Sequence, residues 1–489
     1  MTDLSNASLA ALPADIARPG YDRSAVTPGI VHLGVGAFHR AHQAIYVDDC
    51  LAAGETGWGI VGASLRSPDT RDALAPQDCL YSLAVRDGQG ESLRVVGSIL
   101  SLLVAPENPE RLLEALCLPS VHIVTLTVTE KAYLRNAAGD LDLAHADVMW
   151  DLAHHDRSKT VYGFIVEAVA RRQAAGIGPF TVLSCDNLPA NGKTLRRLLL
   201  QFAEARDAKL AAQVEQSIAF PSSMVDRIVP ATTDADRTRV AAALGVADAW
   251  PVRTEPFSQW VVEDRFPAGR PAWERFGVTM VDDVGPFEDM KLRLLNGSHS
   301  AIAYLGLLSG HETVADAFSD PMIRRFVQGL WNEAIPTLPD NAGLDPKAYI
   351  GKLTDRYDNP ALQHRTAQIA NDGSQKLPQR IVATAVEQLR RGGAIDHLAL
   401  VVAAWIAACE ARGGALDADL FTDPLDAQLA GVFAGLSSAA ADTVSQVFDR
   451  TGFATGQAER PDLQRAVSAH LDVIRNAGIG AAIATLAEG

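Results

Sequence analysis

Along the first half of the chain the apolar residues fall in short unbroken runs, and stretches of helical spacing separate some of them. Ile30–Leu33, Trp58–Ser64, Leu93–Ile99, Val121–Val128 and Phe180–Ser184 read as strands, with Pro109–Leu116 and Lys159–Ala174 as helices between them. Continuous runs such as VHIVTLTV, without alternation, belong to strands buried on both faces of a sheet. The order strand, polar tip, helix predicts a mainly parallel α/β sheet. Beyond about Gly285 strand signals become few and helical patterns dominate, at Asp320–Leu330, Leu362–Ala370, Leu377–Arg390, His397–Ala411 and Leu463–Leu486. Residues before about Thr27 read as an arm, and the aromatic and proline-rich TEPFSQWVVEDRFPAGRPAW as a crossing between domains. The expected division is 1–284 for the α/β domain with its arm and 285–489 for a mainly α-helical domain.

The first strand runs directly into GVGAFHRAHQAIYVDDCL. A strand, then Gly34 and Gly36, then a helix is the start of a Rossmann-type dinucleotide-binding unit. Gly34 permits the tight turn, Gly36 lets backbone approach a pyrophosphate, and the helix start offers free N–H groups. The usual third glycine position holds His39, so a plain strand-to-helix turn is the competing reading. His39 and His42 have no third ligand type nearby, which ranks structural or phosphate-side roles above a metal. If the cofactor is NAD, an acid should follow the second strand. Asp69 is the nearest, several residues late, while Arg66 would suit a 2′-phosphate, so NAD is favoured and NADP stays open. Thr129, Glu130 and Lys131 close one strand, and Asp186 and Asn187 follow another, where an open parallel sheet presents residues to its ligand. Asn191-Gly192 reads as a turn.

The helical half opens with VGPFEDMKLRLLNGSHSAIAYLG. At roughly 100° per residue, Glu288, Lys291, Asn296 and His299 share an arc of about 140° on one helix. Such a face suits a polar ligand, because four buried polar groups are costly without partners. Lysine is the informative member, since partial burial lowers its pKa from about 10.4 towards the range of proton exchange near neutrality. The competing reading is a solvated Glu288–Lys291 pair with His299 filling a core gap. Asp226 and Arg227, between apolar residues, read either as a local ion pair or as site groups. Downstream, RYDNPALQHRTAQIANDGSQKLPQR gathers His364, Arg365, Lys376 and Arg380 around an Asp-Gly turn, read as a loop for a polyhydroxylated or carboxylated ligand.

Charge narrows the ligand classes. A formal net charge of −16 opposes nucleic acid and anionic membrane partners, leaving room for a small anionic substrate at a local basic cluster. Composition, 48% hydrophobic and 21% charged, is that of a soluble globular protein. Five scattered cysteines without metal spacing, no signal-peptide pattern and no long apolar run give a cytoplasmic expectation.

Seven stretches, VHLGVGAFHRAHQAIYVDD, LTVTEKAY, VLSCDNLPANG, FPSSMVDRIVPATT, TEPFSQWVVEDRF, MKLRLLNGSHSAIAYLG and DGSQKLPQR, together resemble the long-chain polyol dehydrogenases. The resemblance implies a Rossmann-type domain, a helical C-terminal domain, an active site in the cleft between them and catalysis without metal. It implies Lys291 as general acid/base, Asn187 and Asn296 on the reacting oxygen, Glu288 gating the proton, and His299 and Asp226 orienting substrate. Lys376 matches a substrate-contacting position, and His364, Arg365 and Arg380 join it as candidate substrate groups. Gly34, Gly36, Ala37, Phe38, Asp69 and Glu130 would serve the cofactor. The passage around DGS looks like the hexuronate-reducing branch, which places fructuronate/mannonate interconversion first and mannitol/fructose second. Oligomeric state is not readable from the sequence.

Overall fold

The computed structural model describes residues 2–340, 343–434 and 439–486. The chain separates into two compact units, Met1–Gly285 and Pro286–Gly489.

In the first unit, β1 (Pro28–Leu33), β2 (Gly59–Ser64), β5 (Ile99–Val104), β6 (Ile123–Leu126) and β7 (Thr181–Ser184) form one sheet in the order β5-β2-β1-β6-β7. Every pairing is parallel, with Val31 opposite Val61 on one side and Val124 on the other. Alternate strand residues feed the two faces. Val31, Leu33, Val124 and Val182 pack with Leu112, Leu113 and Phe164 from the helices Pro109–Leu116 and Val161–Ala174. Ile30, Ile60, Ile123 and Leu183 pack with Ala44, Ile45 and Leu51 from Gln43–Ala52. Burial on both faces is why these strands read as unbroken apolar runs. The chain moves outward from β1 through β2 to β5 and returns to β6 on the far side of β1. The order therefore reverses between β1 and β6, where open α/β sheets bind ligands.

Two three-stranded sheets complete the unit: β3 (Tyr81–Arg86), β4 (Glu91–Val96) and β9 (Val252–Thr254) in the order β4-β3-β9, and β8 (Ser223–Asp226), β10 (Gln259–Glu263) and β11 (Thr279–Val281) in the order β11-β10-β8. They correct the expected strand Leu93–Ile99. Its first part pairs antiparallel with β3, and only Ile99 belongs to the main sheet, the chain breaking at Gly97 and Ser98. Asn191-Gly192 is also no isolated turn, since it begins the helix Asn191–Arg206.

Among its described residues the second unit has helices joined by turns and no β-strand. Gly297–Ser309 runs through its core against Thr366–Ala370 and Asp396–Ala411, and Asp396–Ala411 packs on Arg460–Thr485, which kinks at Gly478. The Asp-Gly passage is largely helical, not a loop. Asp372 takes a left-handed conformation, φ 59°, and starts Gly373–Leu377, which continues into a wide π-helical turn, Pro378–Val382.

Candidate active site

The turn after β1 is held from several sides. Gly34 has φ +95°, and a Cβ there would lie 2.2 Å from the Thr127 carbonyl oxygen, so only glycine lets the turn press against the end of β6. Thr127 Oγ1 donates to the Gly34 carbonyl at 2.7 Å, and His32 Nε2 lies 3.2 Å from that carbonyl and 2.9 Å from Thr127 Oγ1. Burial pushes the His32 pKa down to about 3, so its ring is neutral at physiological pH. His39, at the third-glycine position, stacks on His32 with centroids 3.4 Å apart. Burial, then the neighbouring His32, Arg40 and His42, holds its pKa well below the ordinary value. Both rings work as packing beneath the turn. Among the described residues no group of three or more His, Cys, Asp or Glu is arranged to hold a metal ion.

A cavity of about 850 Å³ opens at the carboxyl ends of the strands. Gly34 and Gly36 line it after β1, Ser64 to Ser67 after β2, Ala105 after β5 and Thr127 after β6. These are the positions a dinucleotide uses in this topology, and the close backbone approach at Gly34 fits one. Four expected cofactor residues do not line it. Ala37 and Phe38 begin the following helix, which lasts only to Ala41, and Phe38 stacks on His42. Glu130 is exposed, and Asp69 is an exposed helix-start residue whose carboxylate accepts from Ser67 Oγ at 2.9 Å.

Asn187 and Asp226 lie just past β7 and at the end of β8. Asn191 ties these segments together, its Nδ2 donating to the carbonyls of Asp186 (2.9 Å) and Ser223 (2.7 Å) while its Oδ1 accepts from Ser223 N. Buried Asp186 accepts from Thr129 N and the Tyr133 hydroxyl, both at 2.9 Å, fixing the loop after β6. Asn187 is exposed beside this fixed frame, and Asp226 is buried. Arg227 does not serve a local ion pair: its guanidinium donates to the carbonyls of Ala41 and Glu255.

In the second unit the expected uniform helix is interrupted. Gly285–Met290 is α-helical, Lys291–Asn296 is a π-helical turn, and Gly297–Ser309 resumes the α-helix. A π turn frees carbonyls, and aromatic side chains take them up: Trp331 Nε1 donates to Leu294 O at 3.0 Å and the Tyr357 hydroxyl to Leu295 O at 3.3 Å. This turn packs on the second π turn, Pro378–Val382. Gly297 permits the approach, since a Cβ there would stand 3.3 Å from the Arg380 carbonyl. Glu288, Lys291, Asn296 and His299 are each partly accessible. The His299 ring lies 5.1 Å from that of Tyr357 and 5.5 Å, edge-on, from that of His364. Desolvation, then the positive or protonatable neighbours His364, Arg356, Arg380 and Lys291, hold His299 well below its ordinary pKa. His299 is a neutral imidazole in a cationic surrounding.

The basic passage divides. Arg380 donates to Ser300 Oγ at 3.3 Å, beside His299, and His364 faces His299 with a buried Nδ1 that has no hydrogen-bond partner among the described residues. Lys376 turns to the end of its neighbouring helix, donating to the Asn371 carbonyl at 2.6 Å, and its pKa is lowered by burial and then by Arg380. Arg365 is exposed and lines a separate depression with Gln368, Asn371 and Asp417, so the structure does not bring it to His299. Arg356 and Tyr357, at the end of the helix Pro346–Tyr357, reach the cluster without having been singled out in the sequence. Their helix carries no local chemical motif, and only tertiary packing delivers them.

Profiles for the mannitol dehydrogenase Rossmann domain and the mannitol dehydrogenase C-terminal domain match residues 28–275 and 283–474. The chain belongs to the mannitol dehydrogenase family. The family makes it an oxidoreductase. The D-mannonate oxidoreductase of Escherichia coli is 42% identical over 96% of this chain and 98% of its own length. A mannitol 2-dehydrogenase of Cereibacter sphaeroides is 43% identical over 84% of this chain and 86% of its own. Among solved structures, a D-sorbitol dehydrogenase in substrate-free form matches with a TM-score of 0.91 at 34% identity, covering 98% of this chain and all of its own. The Pseudomonas fluorescens mannitol 2-dehydrogenase, in a ternary complex with NAD and D-mannitol, matches with a TM-score of 0.83 at 37% identity over the whole of both chains.

Proposed function

We propose that this member of the mannitol dehydrogenase family interconverts D-fructuronate and D-mannonate with NAD(H). The coarser activity, NAD-dependent dehydrogenation of a polyol or sugar acid, follows from the family. The observation that carries the finer reading is Arg380, whose guanidinium donates to Ser300 Oγ at 3.3 Å beside His299, with Lys291 and Arg356 adding positive charge near that ring, in a chain of net charge −16. A uronate carboxylate finds guanidinium partners there, and a neutral ketose has no matching charge. The similarity to a D-mannonate oxidoreductase along nearly the whole chain supports it.

The cavity at the end of the parallel sheet is assigned to the dinucleotide, with Gly34 and Gly36 under the pyrophosphate. When bound, the nicotinamide supplies the hydride that no side chain carries. The chain's own groups handle charge and proton. As a ketone is reduced, negative charge grows on its oxygen; the Asn296 amide donates to it and the Lys291 ammonium protonates it. In oxidation a neutral Lys291 takes the hydroxyl proton, and Glu288 passes it onward. Neutral His299 orients a substrate hydroxyl without adding charge.

Initial rates of NADH consumption with D-fructuronate and D-fructose test the reading. We expect kcat/KM to favour the uronate by about tenfold or more, the low end of a charged hydrogen bond. Equal or better use of fructose would replace it with the mannitol/fructose reaction.

A further inference from the structure

The loop after β2 reads Ser64-Leu65-Arg66-Ser67-Pro68-Asp69, and Ser64 to Ser67 line the cavity at the sheet end while Asp69 does not. In dinucleotide-binding folds this loop meets the adenosine ribose. A carboxylate there accepts from the 2′-hydroxyl and repels a phosphate, whereas a guanidinium reads a 2′-phosphate. Arg66 is exposed, and among the described residues its guanidinium makes no hydrogen bond or ion pair. Asp69 is the acid of the same loop; it does not line the cavity, and one of its carboxylate oxygens accepts from Ser67 Oγ.

Other cations line the same cavity. Arg157 and Lys159 come from the turn before the helix Val161–Ala174. Lys159 has a fixed backbone, its N–H donating to Asp151 at 2.8 Å, and its Nζ stands 4.5 Å over the Trp150 ring. The one carboxylate among the lining residues is Asp147, and Lys159 Nζ lies 3.6 Å from it. The net surplus of the lining is therefore positive, opposite in sign to the chain.

We propose that this cavity accepts a 2′-phosphate, so that the enzyme binds NADP(H) as well as NAD(H), with Arg66 as the specificity-determining residue. The proposal rests on the assignment of the cavity to the dinucleotide. Arg66 gives the phosphate a planar, bidentate partner, and Arg157 and Lys159 supply the surrounding positive potential. Because no contact of Arg66 is broken by its removal, Arg66→Ala should fold normally.

The test needs no turnover. Equilibrium titration of wild type and Arg66→Ala with 5′-AMP and with adenosine 2′,5′-bisphosphate compares the same nucleoside with and without the 2′-phosphate. We expect wild type to bind the bisphosphate at least as tightly as 5′-AMP. Arg66→Ala should lose about tenfold or more for the bisphosphate, as for a lost charged hydrogen bond, and less than about threefold for 5′-AMP. Bisphosphate binding weaker than that of 5′-AMP in wild type, or equal losses for both ligands in the variant, would overturn the proposal and leave the dinucleotide assignment standing. Binding of neither ligand would overturn the dinucleotide assignment and the proposal with it.

Discussion

The glycine turn of the first unit and the paired π turns of the second differ in which polar groups they satisfy. Around Gly34 the backbone is satisfied from within: Thr127 and His32 hold the turn carbonyl, and Asn191 and Asp186 tie down the neighbouring strand ends, while the buried His39 Nδ1 beneath the turn has no hydrogen-bond partner among the described residues. Around His299 satisfaction is incomplete. Neither His299 ring nitrogen hydrogen-bonds a described residue, His364 Nδ1 has no hydrogen-bond partner among them, and Arg380 keeps one side-chain bond of 3.3 Å. The first region is a finished backbone cradle, and the second leaves donors and acceptors for a ligand to complete.

Substitution should separate the two. Lys291→Ala should reduce turnover by about 10²- to 10⁴-fold, the range for a general acid/base, while titration shows 5′-AMP binding unchanged. Near-wild-type turnover would remove the lysine from its role. Gly34→Ala should do the reverse of a chemical mutation, damaging the cradle. With φ +95° and a carbonyl 2.2 Å from the new Cβ, we expect 5′-AMP affinity to fall by roughly tenfold or more, since strain of this kind costs about 1–3 kcal/mol before the clash is counted. An alanine variant that binds normally would show that the turn is not built around that approach.

Acid should act on the cradle through its neutral histidines. The unfolded chain protonates His32 near pH 6.5, and the folded protein does so only near pH 3. The associated stability is therefore complete above pH 6.5 and is lost as pH falls towards 3. The slope is about 1.4 kcal/mol per pH unit for each such histidine. His32→Asn should flatten the decline by about that amount between pH 6 and 4 in chemical unfolding; an unchanged slope would contradict a neutral His32. Arg365→Ala should be the mildest change, leaving KM within about twofold because exposed side chains of this kind contribute little. A large rise in KM would return Arg365 to the substrate.

The division between the regions also explains what the sequence reveals. The cradle is local in the chain: a buried strand, two glycines and a helix lie within a few residues, so Gly34 and Gly36 are legible without a structure. The sheet is legible where strands are apolar on both faces and is not legible at Leu93–Ile99, where two sheets share one apolar run. Lys291, Asn296 and His299 stand out as polar groups on an apolar helix, but the π turn that spaces them leaves no mark in residue pattern. Arg356 and Tyr357 come from a different helix and enter the cluster only through packing. Arg365 shows the converse, since its neighbours in sequence point towards His299 while its own side chain lines another depression.

The most direct test of the cationic cluster as the reader of substrate charge is the ratio of kcat/KM for D-fructuronate over D-fructose, measured in wild type and in Arg380→Ala. We expect a ratio well above one in wild type that falls by about tenfold or more in the variant, mainly through KM for the uronate. A ratio near one in wild type, or a variant that loses both substrates equally, would contradict it.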